Sequence, residues 1–282
     1  MRPHAVTRAT PRTRDPGGHP ATVRDLVRFA LATFALSWLA WTPVIAFRLH
    51  HAEDPLGALL FLVGGFGPSV AGWWMLRRGG RRDTLRRLVD PRPIRPRWWA
   101  VILVGYPVVF ALSSALHVAL GGTWPSFQGG AAYLAGPLAL IGGLAIVALL
   151  GPISEEIGWR GYALDPLIAL LGVVPGTLVL GVVWWAWHLP LFWIPSTLHG
   201  SQGILSAFAI GYLFTVLGYA VAFTWIHHRT GGSILAAVAL HFSINLTFAV
   251  ASPFDGAIIA IATVVLAVLA GVLVWRDPRL GS

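Results

Sequence analysis

The sequence predicts an all-α, polytopic membrane protein with about eight transmembrane helices. Three observations predict it. Of its 282 residues, 56% are hydrophobic and 11% charged, against about 25% charged in a soluble domain. Apolar runs recur at eight places, each approaching or exceeding the ~20 residues that cross a bilayer as a helix. The arginines gather almost entirely between those runs, where topology signals belong. The net charge of +9 is therefore read as a membrane-surface feature, and no nucleic-acid partner is expected.

Taken in order, residues 1–25 are rich in Arg, Pro, Thr and Gly. They lack the apolar stretch of a secretory signal and are expected to form a disordered basic tail. A single transmembrane domain is expected over residues 26–280. Its apolar runs fall at residues 26–47, 56–76, 98–120, 131–150, 169–194, 204–226, 233–250 and 257–275. The second and third are separated by residues 77–97, which hold nine arginines, among them Arg81, Arg82, Arg86 and Arg87. Leu85, Leu88 and Val89 recur there at helical spacing, so this stretch is either a short amphipathic helix on anionic lipid or a solvated basic loop. Six arginines lie between Arg2 and Arg28, and Arg229, Arg276 and Arg279 fall in later loops of the same parity, with Arg48 on the opposite face. The positive-inside rule then places both termini in the cytoplasm. All twenty basic residues are arginine, which together with abundant Ala, Gly, Pro and Trp suggests a GC-rich bacterial source and hence an inner membrane. Cysteine is absent, which excludes disulfide and thiolate chemistry.

Trp38, Trp41, Trp73, Trp74, Trp98, Trp99, Trp124 and Trp193 fall near expected helix ends, as an aromatic belt does. Gly64, Gly65, Gly67, Gly142 and Gly143 would permit close helix approach. His50, His51, His199, His227 and His228 lie near helix ends and are expected to be solvated; His117 is expected to snorkel or cap.

The ionisable residues inside the apolar runs carry the functional signal, because charge at membrane depth is costly. The stretch 151–162 reads Gly-Pro-Ile-Ser-Glu-Glu-Ile-Gly-Trp-Arg-Gly-Tyr. If the fourth helix continues through Tyr162 to a turn near Asp165, Glu155 lies roughly 15 Å above that turn, at 1.5 Å per residue. His188 on the fifth helix then lies roughly 18 Å in, His241 on the seventh roughly 14 Å, and Asn245 roughly 20 Å. A fourth helix ending at Leu150 would strand His188 far from Glu155, so the longer helix is expected.

Adjacent helical residues point about 100° apart, so Glu155 and Glu156 face different ways. Glu156 and Arg160 are four apart, acid first, the favourable order for an ion pair; they are read as scaffold. Gly158 is expected to leave room beside Glu155. Ser154 and Ser243 form no recognisable triad, so activation of water is the natural chemistry. A carboxylate withdrawn from water can act as general base, and His and Asn donors can hold an oxyanion. Glu155, His188 and His241 could equally ligate Zn2+, leaving a position for water. The residues alone leave both routes open. Trp184 and Trp187 flank His188 and are read as packing that could wall a substrate groove.

Glu155-Glu156-x-x-x-Arg160, Trp184-x-x-x-His188 and His241-x-x-x-Asn245 together resemble the three motifs of the CPBP family. This family comprises type II CAAX prenyl endopeptidases and the bacteriocin-processing or immunity proteins also called Abi proteins. The core resemblance covers about residues 131–250. Trp184 departs from the Phe that usually opens the second motif. The resemblance implies an eight-helix intramembrane endopeptidase whose site opens to the cytoplasm and whose substrate is a membrane-associated protein or peptide. Glu155 would activate water with the aid of His188. His241 and Asn245 would stabilise the oxyanion, and Glu156 and Arg160 would support the site. Members are described both as metalloproteases and as glutamate-activated hydrolases. Two other readings compete: a non-catalytic scaffold or immunity protein of the same fold, and a proton-coupled transporter. The presence of every motif member favours the enzyme, and the concentration of polar residues in the second half disfavours paired transporter repeats.

Overall fold

The computed structural model describes residues 21–79, 83–277 and 280. Residues 1–20 of the tail expected over residues 1–25, together with Arg81, Arg82 and Arg279, lie outside the described residues. Helix α1 spans Val23–Ala46. It begins three residues before the expected boundary of the tail, because Thr22 and Asp25 form a reciprocal capping box that satisfies its first N–H groups.

Next come α2 (Pro55–Gly65), α3 (Gly67–Arg78), α4 (Thr84–Val89), α5 (Pro96–Ala119), α6 (Gln128–Tyr133) and α7 (Pro137–Ala148). They are followed by α8 (Ser154–Gly158), α9 (Leu164–Leu171), α10 (Val173–Trp187), α11 (Leu198–Gln202), α12 (Ala207–Arg229), α13 (Ile234–Ala251) and α14 (Gly256–Arg276). Proline opens α2, α5 and α7, where its missing N–H costs nothing. Among the described residues there is no strand, and eight segments are long and apolar enough to cross a membrane. The fourth runs from Pro137 to Leu171. The all-α, eight-span reading of the sequence therefore holds.

The expected uninterrupted fourth helix does not. Its apolar segment continues as anticipated, but the backbone breaks at Leu150 (φ −85°, ψ 95°) and Gly151 (φ 104°, ψ −75°). Broken helices survive at membrane depth only where protein satisfies the freed backbone groups. Three side chains do so here. Ser154 Oγ accepts from Gly151 N–H at 3.0 Å, Ser69 Oγ donates to the Ile153 carbonyl at 2.9 Å, and Asn245 Nδ2 donates to the Leu150 carbonyl at 2.9 Å. A fresh helix N-terminus therefore opens just before Glu155 and Glu156, where the helix dipole favours negative charge.

This second half-helix crosses α3 at very close range. A Cβ on Gly72 would stand 2.6 Å from the Gly158 Cα, and one on Gly158 would overlap the Pro68 carbonyl. Gly158 thus makes room for α3 rather than beside Glu155, a correction to the sequence reading. Gly64 and Gly67 do permit close approach, to Trp41 and Ser37, whereas nothing lies within 4 Å of a Cβ at Gly142. Trp41 and Trp98 are also corrected. Both are buried core residues, because Trp41 donates inward to the Phe61 carbonyl and Trp98 packs edge-on against Trp225.

The basic connection is built partly inward. Arg87 on α4 donates to the Gly232 and Gly161 carbonyls at 2.8 and 3.4 Å and pairs with Asp165 at 3.3 Å. His227 donates to the same Asp165 at 2.7 Å and is buried, not solvated as expected. Leu85 and Val89 remain exposed on the outer side of α4. His117 is buried near the end of α5, 3.6 Å from Asp255.

Candidate active site

Four elements converge on one cavity of about 250 Å³. The broken segment supplies Glu155, α10 ends at His188, α13 supplies His241 and Asn245, and α12 supplies Tyr212 and Phe223. Glu155, His188, His241 and Asn245 all line it, as do both groove candidates, Trp184 and Trp187. The sequence reading brought these residues to one depth; the structure brings them to one cavity.

Trp184 stands at the centre. Its ring lies 5.9 Å, centroid to centroid, from both His188 and His241. Its indole N–H donates to Glu155 Oε2 at 2.6 Å, and Trp159 donates to the same oxygen at 3.3 Å. Its backbone carbonyl accepts from His188 Nδ1 at 2.8 Å. A carbonyl can only accept, so the proton of neutral His188 sits on Nδ1 and its Nε2 is an acceptor. Trp187 packs edge-on against His188 and donates to Ser37 Oγ at 2.7 Å. The reading of these tryptophans as packing is thus incomplete: Trp184 is also a hydrogen-bond donor to the candidate base.

Glu156 faces the other way, as helical spacing required. Both its oxygens accept from Arg160 Nη1, at 2.9 and 3.0 Å, and Oε1 also accepts from His241 Nδ1 at 2.7 Å. The Glu156–Arg160 pair is the expected one; its extension to His241 was not foreseen. Arg160 is 1% exposed and its Nε and Nη2 have no hydrogen-bond acceptor. The guanidinium instead lies between two rings, 4.2 Å from the centre of Trp184 and 3.9 Å from that of Phe223, a cation–π sandwich.

Sequence reasoning missed two contributors. Gly151 has a positive φ, and a Cβ there would stand 2.7 Å from Asn245 Nδ2 and 2.8 Å from His241 Nε2. Its lack of a side chain keeps both groups open to the cavity. The Gly151-Pro152 pair, a helix breaker inside an apolar run, was the available signal. His199, expected to be solvated, lines the cavity, stacks on His188 at 5.9 Å and meets Tyr212 edge-on at 4.5 Å. Burial pushes its imidazole down to about 4. His51 is likewise drawn inward, stacked on Phe61 at 4.4 Å and hydrogen-bonded to Ser196.

The zinc alternative would need Glu155 Oε1 and the Nε2 atoms of His188 and His241. Among the described residues no three His, Asp or Glu side chains are grouped to hold a metal ion. Glu155 Oε2 and the Nδ1 atoms of His188 and His241 are already committed to Trp184, the Trp184 carbonyl and Glu156.

The segment that holds these residues has known relatives. The family described as Type II CAAX prenyl endopeptidase Rce1-like matches residues 137–247, a segment containing every candidate catalytic residue. Residues 137–247 are thus similar to an Rce1-like domain. The chain is also 24% identical over 227 residues to CAAX prenyl protease 2 of Methanococcus maripaludis, covering 77% of this chain and 82% of that protein. The matched segment begins with α7 and ends within α13. It therefore includes the helix break.

Proposed function

We propose that this protein is an intramembrane endopeptidase that hydrolyses peptide bonds of a membrane-associated protein or peptide with a water activated by Glu155 and His188. The supporting observation is the gathering of Glu155, His188, His241 and Asn245 around one cavity with Trp184 between them. In this reading, water sits between Glu155 Oε1 and His188 Nε2. Its oxygen attacks the scissile carbonyl carbon while its proton passes to Glu155. The oxyanion is held by the free N–H of Asn245 and by His241 Nε2. Because His241 Nδ1 donates its hydrogen bond to Glu156, Nε2 donates only when the ring carries both protons. Collapse of the intermediate breaks the C–N bond, and Glu155 returns the proton to the leaving amine. No step passes through a metal, so cleavage is expected to persist after exhaustive chelation.

The cavity walls suit an extended peptide with an apolar side chain next to the scissile bond, since Trp41, Phe61, Phe208 and Phe248 line them. We place the protein in a bacterial inner membrane with both termini cytoplasmic, on the arginine distribution. We also propose that the exposed apolar face of α4 rests at an anionic lipid surface. The function is tested by comparing peptide termini in membranes carrying wild type and Glu155→Gln. Termini present only with wild type support the reading. An identical set of termini in both, with a partner-binding or resistance phenotype retained in the variant, supports a scaffold instead.

A further inference from the structure

We infer that Trp184 is a positioning residue that fixes which oxygen of Glu155 exchanges protons with water; this rests on the hydrolase reading above. Glu155 Oε2 accepts the indole N–H of Trp184 at 2.6 Å and that of Trp159 at 3.3 Å. An indole N–H donates and never accepts. Oε2 is therefore an acceptor whether or not the carboxyl group carries a proton. A proton taken from water has only Oε1 to occupy, and Oε1 has no donor among the described residues. Trp184 thus leaves the carboxylate one working oxygen, turned toward the cavity that His188 and His241 also line.

The indole is itself held in place. Arg160 lies 4.2 Å from the centre of its ring, and the same guanidinium pairs with Glu156, which holds His241. One side chain therefore ties the orientation of the base to that of the oxyanion donor. Trp159 reaches the same oxygen from one helical turn along Glu155's own helix, at greater length, and contributes less.

Trp184→Phe keeps an aromatic face for Arg160 and removes the short donor. The expected result is a kcat lower by about tenfold to a hundredfold, the range for loss of one charge-assisted hydrogen bond, with KM within about threefold. The limb of the kcat–pH profile that reports Glu155 should also move. Trp159→Phe should show a smaller loss, and Trp275→Phe, exposed and remote, none. A purely structural role would lower thermal stability and leave the pH profile in place. If the Phe variant does not fold, β-(3-benzothienyl)alanine at position 184, which has the shape of Trp without the N–H, answers the same question. Wild-type kcat and an unmoved profile in either replacement would overturn the inference while leaving the hydrolase reading intact, provided Glu155→Gln abolishes cleavage. Retained cleavage in Glu155→Gln would overturn both.

Discussion

At Gly151 the backbone does what no other residue type can do cheaply. Its φ of 104° is disfavoured for side-chain-bearing residues, and a Cβ would meet both Asn245 and His241. Gly151→Ala is therefore expected to abolish proteolysis even where the protein still inserts and folds, as assayed on purified, detergent-solubilised variant. Arg160 poses the opposite problem, a charge buried among aromatic rings and matched only by Glu156. Removing one partner of a buried ion pair costs about 3–5 kcal/mol, so Arg160→Met should lower unfolding stability by that order and loosen His241 as well. At this scale the sequence was informative about identity and weaker about contact. The i,i+4 spacing announced the Glu156–Arg160 pair, and the differing directions of Glu155 and Glu156 followed from helix geometry. That Glu156 also holds His241, 85 residues away, could not be read, because no local periodicity encodes which face α13 presents. The inward turn of His199 was hidden for the same reason: a histidine in a polar connection looks solvated until the aromatic neighbours that cover it are known.

The broken fourth segment is the element on which the site depends. An intact helix would satisfy its own carbonyls; the break frees them and hands them to Ser69 and Asn245. Asn245 thus has a structural duty beside its proposed catalytic one, and Asn245→Ala should lose about 1–3 kcal/mol of stability from the uncapped Leu150 carbonyl as well as activity. The apolar runs located seven of the eight spans to within a few residues, since bilayer thickness sets a length that composition reveals directly; the fourth span runs on to Leu171, well past the run's end at residue 150. The break itself escaped notice because the depth argument called for one continuous helix through Tyr162, and the Gly151-Pro152 signal was not weighed against it. Connections carry a second expectation. His199, on α11 between two spans, is held neutral by burial, with its pKa down at about 4. An unfolded histidine binds a proton near 6.5, so between those values the unfolded chain holds more protons and stability rises with pH. Acidification from about 6.5 to about 4 should therefore destabilise the wild type, and His199→Phe should flatten that dependence in thermal unfolding measured in detergent.

For the whole molecule, an even number of spans puts both ends of the bundle on one side, and the arginine distribution proposes which. The absence of cysteine makes this simple to check. Single cysteines at Leu85 and Trp124, both exposed, are expected to react with a membrane-impermeant thiol reagent from opposite sides, position 85 only after the cytoplasmic face is opened. The central claim is that the bundle exists to hold one carboxylate and its water out of bulk solvent, between two imidazoles from separate helices. It is tested most directly by purifying wild type and Glu155→Gln, stripping both with a chelator, and following cleavage of a peptide found through the wild-type termini in water enriched in oxygen-18. The account predicts that wild type cleaves and places the heavy oxygen in the new carboxyl terminus, while the variant is slower by several orders of magnitude. Cleavage by Glu155→Gln at the wild-type rate, or wild-type cleavage that stops with chelation and returns with zinc, would contradict it.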